Sequence, residues 1–338
     1  MNKPKVLISI LNWNKAEQTL ACVASLMADI NPAIADVTVL VIDNGSKAEE
    51  VVLLHEASAK SGFALHAVPK NLGFTGGHNV AIQMAIDEQY DFIWLMNNDA
   101  TVNAGVLSKL IKAMHSNPRC GAVSPVIHDL DGGETVTACV GTHDWKKRNC
   151  QRIVSIPEAR RIQIEHPEAV WLVGTAIFFR IEALKQVGPL DNDLFAYWDD
   201  NDIGARLAAA GWLSECVFDV SVCHETRTIA DHPPYVYYLF QRNEMLFWHK
   251  NTPAAYRRLL WLKVLDTALF DVNRLYRLGL MTQGDAALLG VYDFLRGRFG
   301  APELNRKSPF MLRLICKISA WINEKKVIVP TVDVPNRA

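Results

Sequence analysis

The feature that most constrains the fold is a series of short apolar runs separated by helical patterns. Residues 6–11, 37–42 and 92–96 are almost continuously apolar or β-branched, with no regular polar alternation. Such runs are typical of strands buried on both faces of a parallel sheet. Because helical patterns lie between them, the chain predicts βαβ units and an α/β fold: a Rossmann-like, mostly parallel sheet flanked by helices.

Three polar residues, Asn97, Asn98 and Asp99, follow the apolar run at residues 92–96. At the carboxyl end of a strand they would face the crevice in which open α/β sheets bind ligands. Asp99 offers the hard oxygen ligands that Mg²⁺ and Mn²⁺ prefer, and the two asparagines offer amide donors and acceptors. An Asx turn without a ligand is the alternative interpretation.

An acidic residue, Asp43, follows the predicted second strand. An acid at this position can bind the ribose of a dinucleotide or accept the N3–H of a pyrimidine base. The dinucleotide interpretation requires a glycine-rich turn after the first strand, whereas Asn12, Trp13 and Asn14 stand there. A dehydrogenase is therefore excluded, and an Asx turn remains the alternative for Asp43.

Residues 71–79 form the most unusual short stretch of the chain, which begins at Asn71. Gly73, Gly76 and Gly77 predict a flexible loop that leads into a helix over residues 80–87. Glycines in a loop of this kind let backbone amides approach an anion at a helix N-terminus. The stretch is neither a dinucleotide fingerprint nor a P-loop, so a simple turn is the alternative.

Three acids, Asp199, Asp200 and Asp202, open a predicted helix over residues 199–210. Stabilisation of the helix dipole would explain them without a catalytic role. Near a reaction site, adjacent carboxylates raise each other's pKa, which suits a general base. We expect neighbouring side chains to diverge, so only one of Asp199 and Asp200 can be that base.

Two further candidates follow the strand predicted over residues 214–222. His224 either is structural or completes a divalent metal site with Asp99. Arg227, together with the pair Arg242 and Asn243, could contact phosphates, although solvated surface arginines are more common. Residues 228–236 predict a loop, and helical patterns begin at residue 237.

The remaining stretches predict elements without assigned chemistry. Residues 129–169 predict an irregular excursion with a hairpin-like turn at Asp131, Gly132 and Gly133. Residues 170–180 predict one strand interrupted by Gly174, followed by a helix that ends at Gly188.

Charge is divided unevenly along the chain. Residues 1–240 carry 19 Lys and Arg against 28 Asp and Glu, whereas residues 241–338 carry 16 against 8. The basic, amphipathic C-terminal patterns predict contact with a membrane surface. Packing on the rest of the chain and self-association fit these patterns equally well, and a solvated helical appendage is a further alternative. We expect no nucleic-acid partner.

Cysteine usage and the N-terminus bear on location. Seven cysteines, with no Cys-x-x-Cys pair, predict reduced thiols. No stretch predicts a signal peptide or a bilayer-spanning helix. The expected location is the cytoplasm, with peripheral contact at the inner membrane.

Taken together, the motifs resemble the rhamnosyltransferase-like branch of the inverting family-two glycosyltransferases, which have the GT-A fold. The similarity extends over about residues 4–250. The matching pieces are Asn12-Trp13-Asn14, Val41-Ile42-Asp43-Asn44-Gly45-Ser46, Asn71 to Asn79, Trp94-Leu95-Met96-Asn97-Asn98-Asp99, Gly188-Pro189-Leu190-Asp191 with Phe195, Asp199-Asp200-Asn201-Asp202, His224 and Arg242-Asn243.

The resemblance implies roles for individual residues. Asp43 would recognise the donor base, Asp99 and His224 would hold Mg²⁺ or Mn²⁺, and Asp200 would be the catalytic base. The remaining expected substrate-binding residues are Asn12, Asn71, Gly73, Gly76, Gly77, Asn97, Asn98, Asp199 and Arg227. The sequence departs from the family pattern at Asp199, where Glu is usual, at His78, where Asn is common, and at residues 225–228.

The resemblance also implies an organisation and a reaction. Residues 1–240 would be the GT-A catalytic domain, with a nucleotide-binding half at about 1–100 and an acceptor half at about 101–240. Residues 241–338 would be a helical C-terminal region. The expected reaction transfers a sugar, with rhamnose as the guess, from a dTDP or UDP donor to a hydroxyl of a glycan or lipid-linked acceptor, as in bacterial surface polysaccharide or glycoconjugate synthesis.

Two other functions remain open from the residues. A sugar-nucleotide nucleotidyltransferase also combines a parallel sheet with Mg²⁺, but it would need a glycine-rich and basic loop where Asn12, Trp13 and Asn14 stand. A non-catalytic, carbohydrate-binding relic of the glycosyltransferase fold is the second. The retained acids Asp99 and Asp200 argue against it.

Overall fold

The structure, a computed structural model, describes residues 3–130, 135–225 and 232–324. The predicted turn at Asp131 and the candidate Arg227 lie outside these described residues. The chain divides into two compact units. Among the described residues, the first unit comprises 3–144, 149–192 and 199–225, and the second comprises 145–148, 193–198 and 232–324.

The first unit is built on a large mixed sheet and a small antiparallel one. The strands are β1 (Lys5–Asn12), β2 (Asp36–Asn44), β3 (Ala64–Val68), β4 (Phe92–Asn97), β5 (Ala100–Val102), β6 (Cys120–Asp129), β7 (Val136–Ala138), β8 (Val140–Asp144), β9 (Asn149–Ile153), β10 (Val170–Trp171), β11 (Ala176–Arg180) and β12 (Leu213–His224). The large sheet has the order β3-β2-β1-β4-β11-β6-β12-β5, with β7 beside β6, and the small sheet has the order β10-β8-β9.

The parallel half of the large sheet positions the candidate site. β1 pairs in parallel with β2 and β4, and β2 pairs in parallel with β3. The carboxyl ends of β1, β2 and β4 therefore meet at one edge, where Asn12, Asp43 and Asn97 lie. β11 runs antiparallel to β4, which makes the sheet mixed.

Helices cover both faces of the large sheet, so its central strands are buried on each side. The helices are α1 (Ala16–Asp29), α2 (Ala48–Ser61), α3 (Gly73–Asp87), α4 (Val106–Ser116), α5 (Ile156–Glu165), α6 (Ile181–Val187) and α7 (Asp199–Ala209). Trp94 packs in one core cluster and its neighbour Leu95 in the other. This two-sided burial explains the continuous apolar runs and confirms the predicted α/β class.

The predicted interrupted strand over residues 170–180 is two strands in different sheets. Gly174 donates its backbone N–H to Asp200 Oδ2 at 3.1 Å, and the carbonyl of Thr175 accepts the N–H of Asn97 at 2.9 Å. Because these backbone groups are engaged outside a regular ladder, the chain breaks between β10 and β11. Residues 129–169, predicted as irregular, contain β7 to β9 and α5 in their described part.

The glycine-rich stretch is helical rather than a loop, which corrects the prediction. Helix α3 begins at Gly73, seven residues before the predicted start at residue 80. A Cβ atom on Gly77 would lie 2.3 Å from Leu11 Cδ1, so the missing side chain lets α3 pack directly on β1. His78 is fully buried in the same helix, with Nδ1 2.9 Å from Ser9 Oγ.

The second unit is helical in its described part. Its helices are α8 (Pro234–Asn251), α9 (Leu260–Arg277), α10 (Met281–Leu295) and α11 (Phe310–Glu324), with a 3₁₀ turn at Ala254–Leu259. The predicted loop at residues 228–236 is wrong for its last three residues, because Pro234 begins α8 as a helix N1 residue. No helix among the described residues is long and apolar enough to cross a membrane.

The pair Arg242 and Asn243 is buried in this unit, which corrects the expectation that it faces phosphates. The Arg242 guanidinium donates to the carbonyls of Gly300 and Asp193 at 2.8 and 3.1 Å. Asn243 Nδ2 contacts three carbonyls of the segment 194–197. Phe195, Tyr197 and Trp198 have φ values of 64°, 67° and 67°, so Asn243 supports a backbone that non-glycine residues rarely adopt.

Candidate active site

The first part of the site is a hydrogen-bonded cluster at the ends of β1 and β2. Asn12 and Asp43 are partners in the parallel register. Asn12 Nδ2 donates to Asp43 Oδ1 at 2.8 Å and to Ser46 Oγ at 3.1 Å, while the Ser46 N–H donates to Asp43 Oδ2 at 3.1 Å. Both oxygens of Asp43 are thus oriented by the protein, and each keeps a further lone pair as an acceptor.

Asn44, which sequence reasoning did not single out, joins this cluster to the start of α3. Its Oδ1 accepts the Leu72 N–H at 2.9 Å, and its Nδ2 donates to Gly73 O at 3.0 Å and to Asn71 Oδ1 at 3.1 Å. Asn71 Oδ1 also accepts the Gly73 N–H at 2.8 Å. The predicted substrate residues Asn71 and Gly73 therefore lie beside the end of β2. A signal for Asn44 was present, because it directly follows Asp43 at a strand end.

Gly45 allows the turn after β2 to lie close to the backbone that leads into α3. Its φ is +72°, and a Cβ atom there would lie 2.5 Å from the backbone carbon of Lys70. Only glycine combines this conformation with this contact. The turn after β2 therefore depends on Gly45 as well as on Asp43.

Thr19, on α1, connects the Asp43 cluster to the polar triplet after β4. The fully buried Thr19 hydroxyl donates to Asn12 Oδ1 at 2.8 Å and accepts from Asn98 Nδ2 at 3.1 Å. The predicted residues Asn12, Asp43 and Asn98 thus belong to one continuous network. Sequence reasoning missed Thr19, because its burial on α1 depends on the packing of that helix.

Asp99 and His224 lie side by side at the edge of the same sheet. Asp99 Oδ1 is 3.1 Å from His224 Nε2, and Asn97 Nδ2 is also 3.1 Å from that nitrogen. The antiparallel pairing of Ala100 with His224 in β5 and β12 brings them together. Both side chains are about one quarter exposed, at 24% and 23%, and so remain accessible to a ligand.

The chemistry of this pair fits a divalent cation. A carboxylate oxygen and an imidazole nitrogen are ligands that Mn²⁺ accepts, and the carboxylate also suits Mg²⁺. Within the described ranges no cluster of three or more His, Cys, Asp and Glu could hold a metal by itself. The residues therefore fit a site with two protein ligands, in which substrate oxygens or water would supply the rest.

Asp200 is held at the N-terminal turn of α7. Its Oδ2 accepts the Gly174 N–H, and its Oδ1 accepts the backbone N–H and the side-chain Nδ2 of Asn201 at 2.7 and 2.9 Å. The next residue after Gly174, Thr175, bonds to Asn97. One short backbone segment therefore links the candidate base to the polar triplet.

Asp199 and Asp200 converge, which corrects the expectation that they diverge. A Cβ atom on Gly174 would lie 3.7 Å from Asp200 Oδ2 and 3.8 Å from Asp199 Oδ2. These are ordinary van der Waals distances, and they place both carboxylates beside Gly174 on one side of the helix. Asp199 is the more buried of the two, at 7% exposed.

A buried histidine that sequence reasoning missed supports Asp200 indirectly. His143 Nε2 lies 3.1 Å from Asn201 Oδ1, and its ring stacks on Trp171 at 5.7 Å between centroids. Burial lowers the pKa of His143 to about 4, so the ring is neutral at pH 7. A neutral ring with its proton on Nε2 donates to Asn201 Oδ1, which orients the Asn201 amide group toward Asp200.

The predicted site residues are thus placed as follows. The network from Asp43 to Asn98, the Asp99–His224 pair and the Asp200 turn all belong to the first unit. Gly76 and Gly77 lie within α3, and the missing side chain of Gly77 lets this helix pack on β1. The substrate-binding roles of these residues stay predictions.

Comparison with known families agrees with this geometry. Residues 4–242 match the model of the family described as Glycosyltransferase like family 2. The chain belongs to this family. The resemblance and the enzyme class predicted from the sequence, a glycosyltransferase, are confirmed at the level of the family.

Curated relatives cover a smaller part of the chain. Two proteins from Mycobacterium tuberculosis, strains CDC 1551 / Oshkosh and ATCC 25618 / H37Rv, are named N-acetylglucosaminyl-diphospho-decaprenol L-rhamnosyltransferase. Each is 32% identical over 143 residues, which cover 40% of this chain and 47% of the relative. The chain therefore spans about half the length of the curated relatives it matches.

Solved structures share the fold. GalNAc-T7 with UDP, GalNAc and Mn²⁺ is 14% identical with a TM-score of 0.61, covering 88% of this chain and 55% of that one. The Pyrobaculum calidifontis mannosyltransferase PcManGT, in complex with GDP-Man and Mn²⁺, is 16% identical with a TM-score of 0.54, covering 96% and 86%. S. aureus TarS 1-349 is 14% identical with a TM-score of 0.56, covering 86% and 80%. These likenesses show a GT-A fold.

Proposed function

We propose that this protein transfers a sugar from a pyrimidine nucleoside diphosphate donor to a hydroxyl of a glycan or lipid-linked acceptor, with inversion at the anomeric carbon. The observation that carries the proposal is the continuous polar network from Asp43 through Asn12 and Thr19 to Asn98. It ends beside the Asp99–His224 pair, at the carboxyl edge of the sheet, where α/β folds bind nucleotides.

The nucleotide would bind along the ends of β2 and β1. Asp43 has oriented oxygens with acceptor capacity for the N3–H of uracil or thymine, which supports a UDP or dTDP donor. Asn71 and Gly73, held by Asn44, would face the same nucleotide from the start of α3. A rhamnosyl donor is favoured over other sugars by the name of the curated relatives.

Asp99 and His224 would hold Mg²⁺ or Mn²⁺. A divalent cation at this position would neutralise the charge that develops on the leaving nucleoside diphosphate. Two of the solved structures with this fold contain Mn²⁺ together with a nucleotide or nucleotide sugar, which supports a divalent metal here. Asn97 lies beside His224 Nε2, the nitrogen that would bind the metal.

Asp200 would act as the general base. Its carboxylate would take the proton of the acceptor hydroxyl while that oxygen forms a bond to the anomeric carbon. The bond from the anomeric carbon to the diphosphate oxygen breaks on the opposite face, and its electron pair leaves with the nucleoside diphosphate. Three N–H donors, from Gly174 and Asn201, hold the Asp200 carboxylate in a fixed orientation before the reaction.

The acceptor and the location belong to the same proposal. The curated relatives are named for a lipid-linked substrate, which supports a polyprenyl-diphosphate acceptor and a role in surface polysaccharide or glycoconjugate synthesis. An acceptor of this kind lies in a membrane, so the enzyme would work at a membrane surface, and we propose the cytoplasmic face.

The Asp200→Asn variant tests the proposal. We expect Asp200→Asn to lose roughly 10²–10⁴-fold in transfer rate, which is the contribution of a positioned base. Its affinity for UDP or dTDP in the presence of Mn²⁺ should stay unchanged. The matched control is Asp219→Asn, an exposed carboxylate on β12. Transfer at the normal rate by Asp200→Asn would refute the assignment.

A donor screen separates this proposal from its rivals. Purified protein is incubated with Mn²⁺, UDP- or dTDP-sugars and soluble acceptor analogues, and released nucleoside diphosphate is measured. Nucleoside diphosphate is the product of glycosyl transfer, whereas a nucleotidyltransferase would release pyrophosphate from a nucleoside triphosphate. Donor binding without any turnover would indicate a non-catalytic relic.

A further inference from the structure

Helix α11 presents an apolar face to solvent. Six of its large apolar side chains are each at least 40% exposed. They are Phe310, Met311, Leu314, Ile315, Ile318 and Trp321. At 3.6 residues per turn they fall within an arc of roughly 140° on one side of the helix. We call this surface the α11 apolar face.

The opposite side of α11 is anchored within its own unit, so the orientation of the helix is determined. Leu312 and Cys316 are 7% and 2% exposed. Asn273 of α9 donates from Nδ2 to Cys316 O at 3.0 Å, and Cys316 Sγ lies 3.4 Å from Asn273 Oδ1. The α11 apolar face is therefore not the side by which the helix packs on α9.

The charges around this face are mostly positive. Residues 304–324 contain Arg306, Lys307, Arg313 and Lys317 and one acid, Glu324, the last residue of α11. Arg306 is ion-paired with Asp293 and Glu303. Lys307 and Lys317 are exposed, and Arg313 is half-buried. By the same helical geometry, Arg313 and Lys317 border the apolar arc on the side of Phe310. An apolar stripe with bordering cations is complementary to a bilayer that carries negative headgroups.

We propose that the α11 apolar face docks on the surface of an anionic lipid bilayer, with α11 parallel to the membrane plane. Phe310 and Trp321, at the edge of the arc beside Arg313 and Lys317, would sit at headgroup level. Lys317 and Arg313 would contact lipid phosphates. A second copy of the chain fits the face less well, because cations such as Lys are depleted at protein interfaces.

Vesicle flotation of the full chain tests this docking. We expect the protein to float with phosphatidylcholine vesicles that contain phosphatidylglycerol, and to float far less with phosphatidylcholine alone or at high salt. Ile318→Glu should lower the floated fraction about tenfold, because it places a carboxylate in the middle of the buried face. The matched control is Ile164→Glu on α5, which makes the same change at an 81% exposed isoleucine of the first unit.

The outcomes are distinguishable. Loss of flotation by Ile318→Glu with retained flotation by Ile164→Glu supports the docking. The proposal is overturned if the wild-type protein fails to float, or if Ile318→Glu floats as the wild type does. A wild-type dimer that Ile318→Glu converts to a monomer, without vesicle binding by either, would assign the face to a second copy instead.

The test is also separate from the catalytic proposal. Turnover with a soluble acceptor is measured on the same samples and should be unchanged in Ile318→Glu. Flotation without any turnover would support the membrane docking and contradict the proposed function. Turnover without flotation would support the proposed function and contradict the membrane docking.

Discussion

The carboxylate of Asp99 and the imidazole of His224 lie 3.1 Å apart at the edge of the large sheet. They belong to segments that are distant in the chain and meet because β5 pairs with the end of β12. Asn97 contacts the same imidazole nitrogen, which donates to Asp99 when it carries a proton and accepts from Asn97 when it does not. This arrangement makes the metal hypothesis testable at single residues.

Replacing His224 with Ala should weaken metal binding. With one of two protein ligands gone, we expect the affinity for Mn²⁺ in the presence of UDP to fall at least about tenfold, the size seen when even outer-shell partners are removed. Isothermal titration measures it. His115→Ala, an exposed histidine on α4, is the control. An unchanged Mn²⁺ affinity in His224→Ala would remove His224 from the metal site.

Replacing Asn201 with Leu should slow transfer. The variant loses the Nδ2 donor to Asp200 and the contact with His143. A carboxylate that is less firmly oriented adopts the reactive geometry with the acceptor hydroxyl less often. We expect a rate loss of about tenfold at neutral pH.

The control for this variant is Asn103→Leu, an asparagine whose side chain contacts Ser221 on the first unit. Both variants are compared by transfer rate and by thermal unfolding. An unchanged transfer rate in Asn201→Leu, or a lower rate that only follows a loss of thermal stability, would contradict the support of Asp200 by Asn201 and His143.

Replacing Asn243 with Ala should destabilise the second unit, which is helical in its described part. Asn243 is fully buried, and its Nδ2 contacts the carbonyls of Leu194, Ala196 and Tyr197 at 2.8, 2.8 and 3.0 Å. These carbonyls would lose their donor beside a strained backbone. We expect a loss of about 2–4 kcal/mol in the free energy of unfolding.

Urea denaturation measures this loss. Asn305→Ala, an exposed asparagine of the same unit, is the matched control and should change stability by less than about 0.5 kcal/mol. Equal stability of the two variants would show that the segment 194–197 holds its conformation without Asn243.

Mild acid should destabilise the first unit. Burial lowers the pKa of His78 to about 3 and that of His143 to about 4, below the ordinary value of 6.5. In the unfolded chain both rings bind protons as the pH falls below 6.5, whereas in the folded protein they do not. Stability is therefore retained above pH 6.5 and lost progressively below it, by about 1.4 kcal/mol per pH unit for each histidine.

Urea denaturation at pH 7 and pH 5 measures whether stability falls in mild acid and whether His143 contributes to the loss. His143→Gln should reduce the loss of stability between the two pH values. His166→Gln, at a largely exposed histidine, should leave it unchanged. Equal losses in the wild type and His143→Gln would exclude His143 as a source of the acid sensitivity.

Local patterns were sufficient for the parallel half of the sheet. Strands such as β4 are buried on both faces. Their continuous apolar sequence is therefore enough to predict a strand that is covered on each side of the sheet. The same patterns were insufficient where backbone groups bond outside a ladder. At Gly174 and Thr175 the apolar run continues, yet the chain leaves one sheet and enters another.

The glycine-rich stretch shows a second limit. Three glycines in five residues predict a loop by their conformational freedom, but Gly77 is required for a close helix–strand contact instead. A contact of this kind is defined by the partner, Leu11, which local sequence does not identify. For the same reason the partners Thr19, Asn44 and His143 were missed.

The sequence by itself determined the α/β class, the strand-end positions of Asp43 and Asp99 and the family, because these depend on local patterns and on motifs in order. Only the tertiary structure decided which polar residues meet. The Asp99–His224 pair, the convergence of Asp199 and Asp200 on Gly174, and the outward direction of the α11 apolar face all depend on strand pairing and packing between distant segments. The physical reason is that hydrogen bonds and burial act over a few ångströms in space, whatever the separation along the chain.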